Sequence, residues 1–436
     1  MASAMGLGPL DSGGRVIIVG GGPAGVACAI ALQRCALREG RRFTVTILEG
    51  KEFVGERHHN QCAGVLSPPL ADLLEKDLGI PFPDHLVRTV IEEYVLHATH
   101  MSLALGRQGV ISHAVRRVQF DAFMLEQARE RGVSLIPARA VDLEFLQEGV
   151  VVYTEAGPVE ADVVVGAFGM DEGAAAIFQR VCGYRPPQAL SSIVTKYHPG
   201  DRAMETFGAR IHAFLLKQVR IEFGAVTPKG NHLTINIAGP RVDSAVMQDF
   251  LQSAEVRRVL PNLEQAGKLD ENDLRCFKGR FPVSLARGTF GDRWVMIGDA
   301  AGLVRAFKGK GVTSALQTGI RAAETMLCAG ISGQAFQHHY LPANRDLIRD
   351  IPFGRAMRLL SIGLARMGFF DVILEAGNRE PRLYEALFEA VSADGPYRRV
   401  WANGLSLPSL VALARAAVTT RPGAARTPSA PRDPER

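Results

Sequence analysis

Two segments near opposite ends of the chain, Val16 to Leu32 and Trp294 to Val304, each read as an apolar strand that delivers a glycine turn. In the first, Arg15 precedes the apolar run VIIV, which suits a strand buried on both faces. Gly20, Gly22 and Gly25 follow as G-x-G-x-x-G. The first glycine permits a tight turn, the second admits a pyrophosphate to the backbone, and the third lets a helix close on the strand. Ala24 to Arg34 continue as that helix, its positive N-terminal end facing the phosphates. The next strand, FTVTILE, ends at Glu49, placed to accept hydrogen bonds from a ribose diol. An ordinary glycine-rich turn does not call for that acid. The arrangement predicts a bound dinucleotide.

The second segment separates FAD from NAD. In WVMIGDAAGL the strand delivers Gly298 and Asp299, and Asp299 is an acceptor suited to the ribityl chain of a flavin. Read alone, Asp299 is a helix N-cap; an NAD domain needs no such second segment. The next helix starts at Gly309 to Gly311, whose free N–H groups suit negative charge on a reduced flavin ring. The two segments together predict one FAD gripped from both ends of the sequence.

At 436 residues the chain exceeds one ordinary domain, and 47% apolar with 22% charged residues describes a soluble globular protein. The net charge of +5 is dispersed, with no basic block interleaved with aromatics, so nucleic acid is not an expected partner. Contact with an anionic membrane surface is compatible with this charge. The six cysteines form no CxxC and no metal spacing, no metal site is expected, and reduced thiols in a cytoplasmic setting fit them. Cys28 and Cys35 are expected to be buried on the first helix. The start reads as no signal peptide, and no apolar segment has the length to span a bilayer.

The flavin-binding part must be discontinuous, and we place it at 1–70, 110–180 and 275–330. Within it a helix begins at Arg117 to Asp121, followed by strands in VSLIPARAVDLEFL, GVVVYTEAG and VEADVVVGAFG. Residues 71–109 and 181–274 read as a substrate-binding cap, where IHAFLLKQVRIEFGAVTPKGNHLTINIAG alternates like an antiparallel sheet with turns at Pro228 and Lys229-Gly230-Asn231. Residues 331–420 read as helices, and 421–436 as a disordered tail. The expected fold is α/β: a Rossmann-like FAD-binding domain of glutathione-reductase type, an antiparallel β cap and a helical C-terminal part.

At these residues the chain resembles the geranylgeranyl reductase family, within the flavoprotein class that includes aromatic hydroxylases. General to the class are Gly20-x-Gly22-x-x-Gly25 with Glu49, Arg117-x-x-Phe120-Asp121, and Gly298-Asp299-Ala300-Ala301-Gly302. Closer to the reductases are Gly309-x-Gly311-Val312 with Thr318 and Gly319, the segment Gln61-Cys62-Ala63-Gly64, and Phe223 to Gly230 ending Pro-Lys-Gly. The chain departs from the pattern at Phe223 and Ala225–Val226, where the family has Tyr and Trp, and at Ala167-Phe168-Gly169, where the class has Ala-Asp-Gly.

The resemblance implies FAD-dependent saturation of carbon–carbon double bonds in a prenyl, apolar small-molecule substrate, with electrons from NAD(P)H or a ferredoxin-type protein. It implies that Arg117 contacts FAD and that Cys62, on a loop crossing the ring, donates a proton or shapes the pocket; a small buried hydrophobe is the plainer role for that thiol. His58 and His59 suit a proton relay or a solvent-facing loop, and Lys308 and Lys310 suit a flavin counter-charge or a solvated pair. Met357 to Gly377 suits helix packing or a lipid surface. The rival activities are an FAD monooxygenase, a halogenase, which lacks its W-x-W-x-I-P here, and a flavin-binding protein without catalysis.

Overall fold

The computed structural model describes residues 6–53, 62–262, 275–305, 311–392 and 395–419. One sheet carries five parallel strands in the order Trp294–Met296, Val163–Gly166, Arg15–Val19, Thr44–Leu48 and Ser134–Ile136. Phe290–Gly291 is antiparallel at one edge. The chain leaves Arg15–Val19 toward one edge and returns on its other side. The order therefore reverses beside the carboxyl end of that strand, where open α/β sheets bind ligands. Val16, Ile17, Ile18, Val163, Val164 and Val165 are each at most 1% exposed, as helices on both faces require.

The first helix runs from Pro23 to Glu39 and ends on Gly40 in the left-handed conformation. It continues past Arg34 because Cys35 to Glu39 contain no breaker before that glycine. Cys28 is buried, but Cys35 is only half-buried, since it lies toward the solvent-facing stripe. All six cysteines are free. Leu70, Leu74, Leu78 and Ile80 join the core around the first strand.

A second sheet has seven strands, ordered Phe277–Pro282, Ala189–Tyr197, His232–Gly239, Phe223–Lys229, Arg210–Phe214, Glu93–His97 and Ser102–Gly106. Its pairings are antiparallel except between Arg210–Phe214 and Glu93–His97. That parallel pair departs from the purely antiparallel cap expected from the alternation. The two strands come from separate stretches of chain, so no hairpin turn fixes their direction. Ile211 and Ala213 pack under Phe370, Leu374 and Phe388 of the C-terminal helices, while Phe214, Val226 and Ile235 pack on Val246, Met247 and Phe250.

The apolar stretch from Met357 is split at Gly368 into the helices Arg345–Arg366 and Phe370–Arg379. Asp371, which interrupts the hydropathy, accepts from the backbone N–H groups of His100 and Met101 at 2.8 and 2.9 Å. Met357, Ala365, Phe370 and Leu374 are core residues, whereas Leu359, Leu360 and Met367 are exposed. Arg358 grips the buried carboxylate of Glu222 through Nε at 2.5 Å and Nη2 at 2.8 Å, fastening this helix to the seven-stranded sheet. Arg358→Ala is expected to leave Glu222 buried without its cation and to lower stability by about 3–5 kcal/mol in denaturant titration. An unchanged midpoint contradicts that role.

No helix among the described residues is long and apolar enough to cross a membrane.

Candidate functional site

The turn after the first strand is built by close approach. Gly20 adopts φ 114°, and a Cβ there would lie 2.5 Å from the Ala167 carbonyl oxygen. The Gly21 N–H donates to Glu49 Oε2 and the Lys51 N–H to Glu49 Oε1, both at 2.9 Å. The acid expected at a ribose is thereby fixed at the lip of the turn. Beside Gly22 no heavy atom lies within 4 Å of a Cβ position. This is the space a pyrophosphate needs at a helix N-terminus.

The distant Gly-Asp segment meets this turn directly. The Gly298 N–H donates to Thr318 Oγ1 at 3.0 Å, which ties the turn to the helix Gly311–Cys328. A Cβ on Gly319 of that helix would lie 2.3 Å from the Ala24 carbonyl oxygen, so the helices Gly311–Cys328 and Pro23–Glu39 pack backbone to backbone. A Cβ on Gly311 would lie 3.8 Å from Asp299 Oδ1. Burial raises the Asp299 pKa, and the nearby Arg117 guanidinium opposes that rise. Residues near 20, 117, 299 and 311 thus surround one place at the switch point of the sheet. Open space over Gly22, a fixed carboxylate at Glu49 and a buried acceptor at Asp299 fit the pyrophosphate, ribose and ribityl parts of FAD. Gly309, His58, His59, Lys308 and Lys310 lie outside the described residues.

Cys62 sits between two cations. Its Sγ accepts from the Gly64 N–H at 3.2 Å and from Arg117 Nη1 at 3.7 Å. Arg117 directs Nε and Nη2 to Asp121 at 3.2 and 2.9 Å. Burial disfavours its charge, but Asp121 and Cys62 outweigh burial and hold its pKa above the usual value. Lys229 Nζ donates to the Cys62 carbonyl oxygen at 3.2 Å.

Lys229 is the residue that sequence reasoning missed. Pro-Lys-Gly-Asn reads as a hairpin turn, and a turn lysine belongs in water. Here it is 5% exposed. Desolvation pulls its pKa down to about 8; Cys62 works against that, while Arg117, Lys196 and Arg116 add to it. The neighbouring His232 is buried too, and its pKa falls to about 3, first from desolvation and then from Lys229, His198, Lys196 and Arg116. The signal available in the sequence was the crowd of basic residues at the ends of adjacent strands, Lys196-Tyr197-His198 and Lys229 to His232.

Phe168, which stands where the class carries an acid, is 8% exposed and stacks on Phe178 with ring centroids 5.4 Å apart. It also meets Tyr184 edge-on at 5.9 Å. It is a packing residue. Among the described residues, no group of three or more His, Cys, Asp or Glu is placed to hold a metal ion.

No family model matches the chain. It is 24% identical over 340 residues to the chloroplastic geranylgeranyl diphosphate reductase of Oryza sativa, covering 73% of this chain and 67% of that protein. In structure it is similar to a geranylgeranyl bacteriochlorophyll reductase-like protein from Thermoplasma acidophilum, with a TM-score of 0.62, 16% identity and 95% and 98% of the two chains covered. A halogenase solved with phloroglucinol and FAD shares the fold at a TM-score of 0.60 and 14% identity, with 91% and 87% covered.

Proposed function

We propose that this chain, an FAD-dependent oxidoreductase of the geranylgeranyl reductase family, saturates carbon–carbon double bonds of an isoprenoid substrate. The observation that carries the reading is Cys62, held between Arg117 and Lys229, with Arg117 also near Asp299. FAD bound here and reduced by two electrons from the donor would supply the hydride. An unactivated double bond also needs a proton at the second carbon. In this reading the Cys62 thiol gives that proton, and Arg117 and Lys229 stabilise the thiolate left behind. Lys229, with a pKa near 8, then returns a proton to the sulfur and recovers its own from solvent.

The electrons come from NAD(P)H or a ferredoxin-type donor. Exposed Leu359, Leu360 and Met367 suit peripheral contact with a lipid surface, where a prenyl substrate resides.

The test is anaerobic turnover of geranylgeranyl diphosphate by dithionite-reduced enzyme, followed by mass spectrometry. The expected product gains one hydrogen pair for each bond reduced. Cys62→Ala is expected to lower turnover by roughly 100-fold with unchanged flavin content. An oxygenated product formed only in air, with no saturated product, makes the protein a monooxygenase.

A further inference from the structure

A groove of about 650 Å³ opens beside the Gly298–Gly302 turn, lined by Arg185, Arg287, Arg355, Ser284, Leu285 and Pro352 among others. It abuts the flavin turn through the backbone: the Ala286 N–H donates to the Ala301 carbonyl at 3.1 Å. The Tyr184 hydroxyl donates to the Ala300 carbonyl at 2.7 Å.

Arg185 and Arg287 form an isolated antiparallel bridge, exchanging both backbone hydrogen bonds at 2.9 and 3.0 Å. Residues paired this way project to the same side, and like charges directly opposite each other destabilise the pair. Arg355 adds a third guanidinium from the helix Arg345–Arg366. No carboxylate lines the groove, and among the described residues none of the three arginines has an ion-pair partner. The groove thus gathers three cations beside buried Ile351 and exposed Leu285 and Pro352, with no acid in its lining. All three arginines are exposed at the groove, and the planar fork of an arginine can take phosphate oxygens bidentately. The volume lies within the usual range of small-molecule sites.

We propose that this groove binds the phosphate group of a small organic phosphate, with Arg185, Arg287 and Arg355 as its ligands. Two molecules carry that chemistry: a nicotinamide dinucleotide phosphate donor and the diphosphate of a prenyl substrate. The site is independent of which carbon is reduced.

The experiment is isothermal titration of the FAD-loaded protein with inorganic pyrophosphate, NADP⁺ and NAD⁺, and geranylgeranyl diphosphate and geranylgeraniol. The variants Arg185→Ser/Arg287→Ser and Arg355→Ser are run beside the parent. Pyrophosphate is expected to bind the parent, to weaken with added salt, and to lose at least 10-fold in affinity in each variant, with flavin content retained. A preference for NADP⁺ over NAD⁺ that the variants erase identifies the dinucleotide. A preference for the diphosphate over the alcohol that they erase identifies the substrate headgroup. Equal pyrophosphate affinity in parent and variants overturns the proposal. So does no binding of any phosphate probe. These titrations need no turnover, so their failure is separate from a failure of the reductase assay.

Discussion

Gly22→Val is expected to give a folded protein that no longer retains FAD. At Gly22 the backbone is ordinary, with φ −72°, and a Cβ meets nothing within 4 Å. Valine therefore costs the apoprotein little. Its branches fill the space over the N-terminal end of the helix Pro23–Glu39, where a pyrophosphate would make its N–H contacts. Loss of at least about 100-fold in affinity is expected, or about 2.8 kcal/mol. Gly25→Val is the contrasting case. A Cβ there would lie 2.1 Å from the Gly20 carbonyl oxygen and 3.0 Å from Ile18 Cγ2. Backbone cannot yield as a side-chain tip can, so this variant is expected to lose thermal stability as well as flavin. If Gly22→Val keeps its FAD through gel filtration, the pyrophosphate does not lie at this turn.

Lys229→Met is expected to separate activity from stability. Turnover should fall by roughly 100-fold, because the thiolate at Cys62 loses both a neighbouring cation and its source of protons. The apoprotein should become more stable. A lysine whose folded pKa is lowered carries a penalty that is fully present below the folded value, near 8, and is relieved as pH rises toward the unfolded value of 10.5. Removing the ammonium lifts that penalty at neutral pH, by roughly 3 kcal/mol at most. The parent apoprotein should accordingly gain stability between about pH 8 and 10.5, and the variant should not. Parent turnover should decline as pH rises through about 8, since the ammonium form is the one required. Lys229→Arg keeps the charge but cannot release a proton to the sulfur, so it should remove the decline near pH 8 while leaving turnover below the parent's. A variant with parent-like turnover and an unchanged pH profile removes Lys229 from the mechanism.

The glycine turns at Gly20 and Gly298 were legible in the sequence because they depend on short-range geometry. A strand, three glycines at fixed spacing and an acid at the next strand's end specify one local shape. Gly298-Asp299 could be paired with them because it, too, ends a buried strand. The helix at Arg117 was legible from its apolar spacing, but its local partner, Asp121 one turn on, takes two of the guanidinium nitrogens and leaves Nη1 for Cys62. What stayed hidden rests on long-range register. Lys229 reaches Cys62 only because its strand pairs with His232–Gly239 in a sheet whose end abuts the loop at Gly64. Turn propensity places such a lysine in water, and tertiary packing overrides it. The parallel contact between Arg210–Phe214 and Glu93–His97 was hidden for the same reason, as alternation gives a strand's faces but not its direction.

The central claim is that the segments around Gly20 and Asp299 hold a single FAD. The most direct measurement is titration of the apoprotein with FAD, followed by flavin fluorescence, for the parent and for Asp299→Leu. One equivalent should saturate the parent, and Asp299→Leu should bind at least about 10-fold more weakly, by about 1.4 kcal/mol. A parent that takes up no FAD, or an Asp299→Leu variant that binds it as the parent does, contradicts the account.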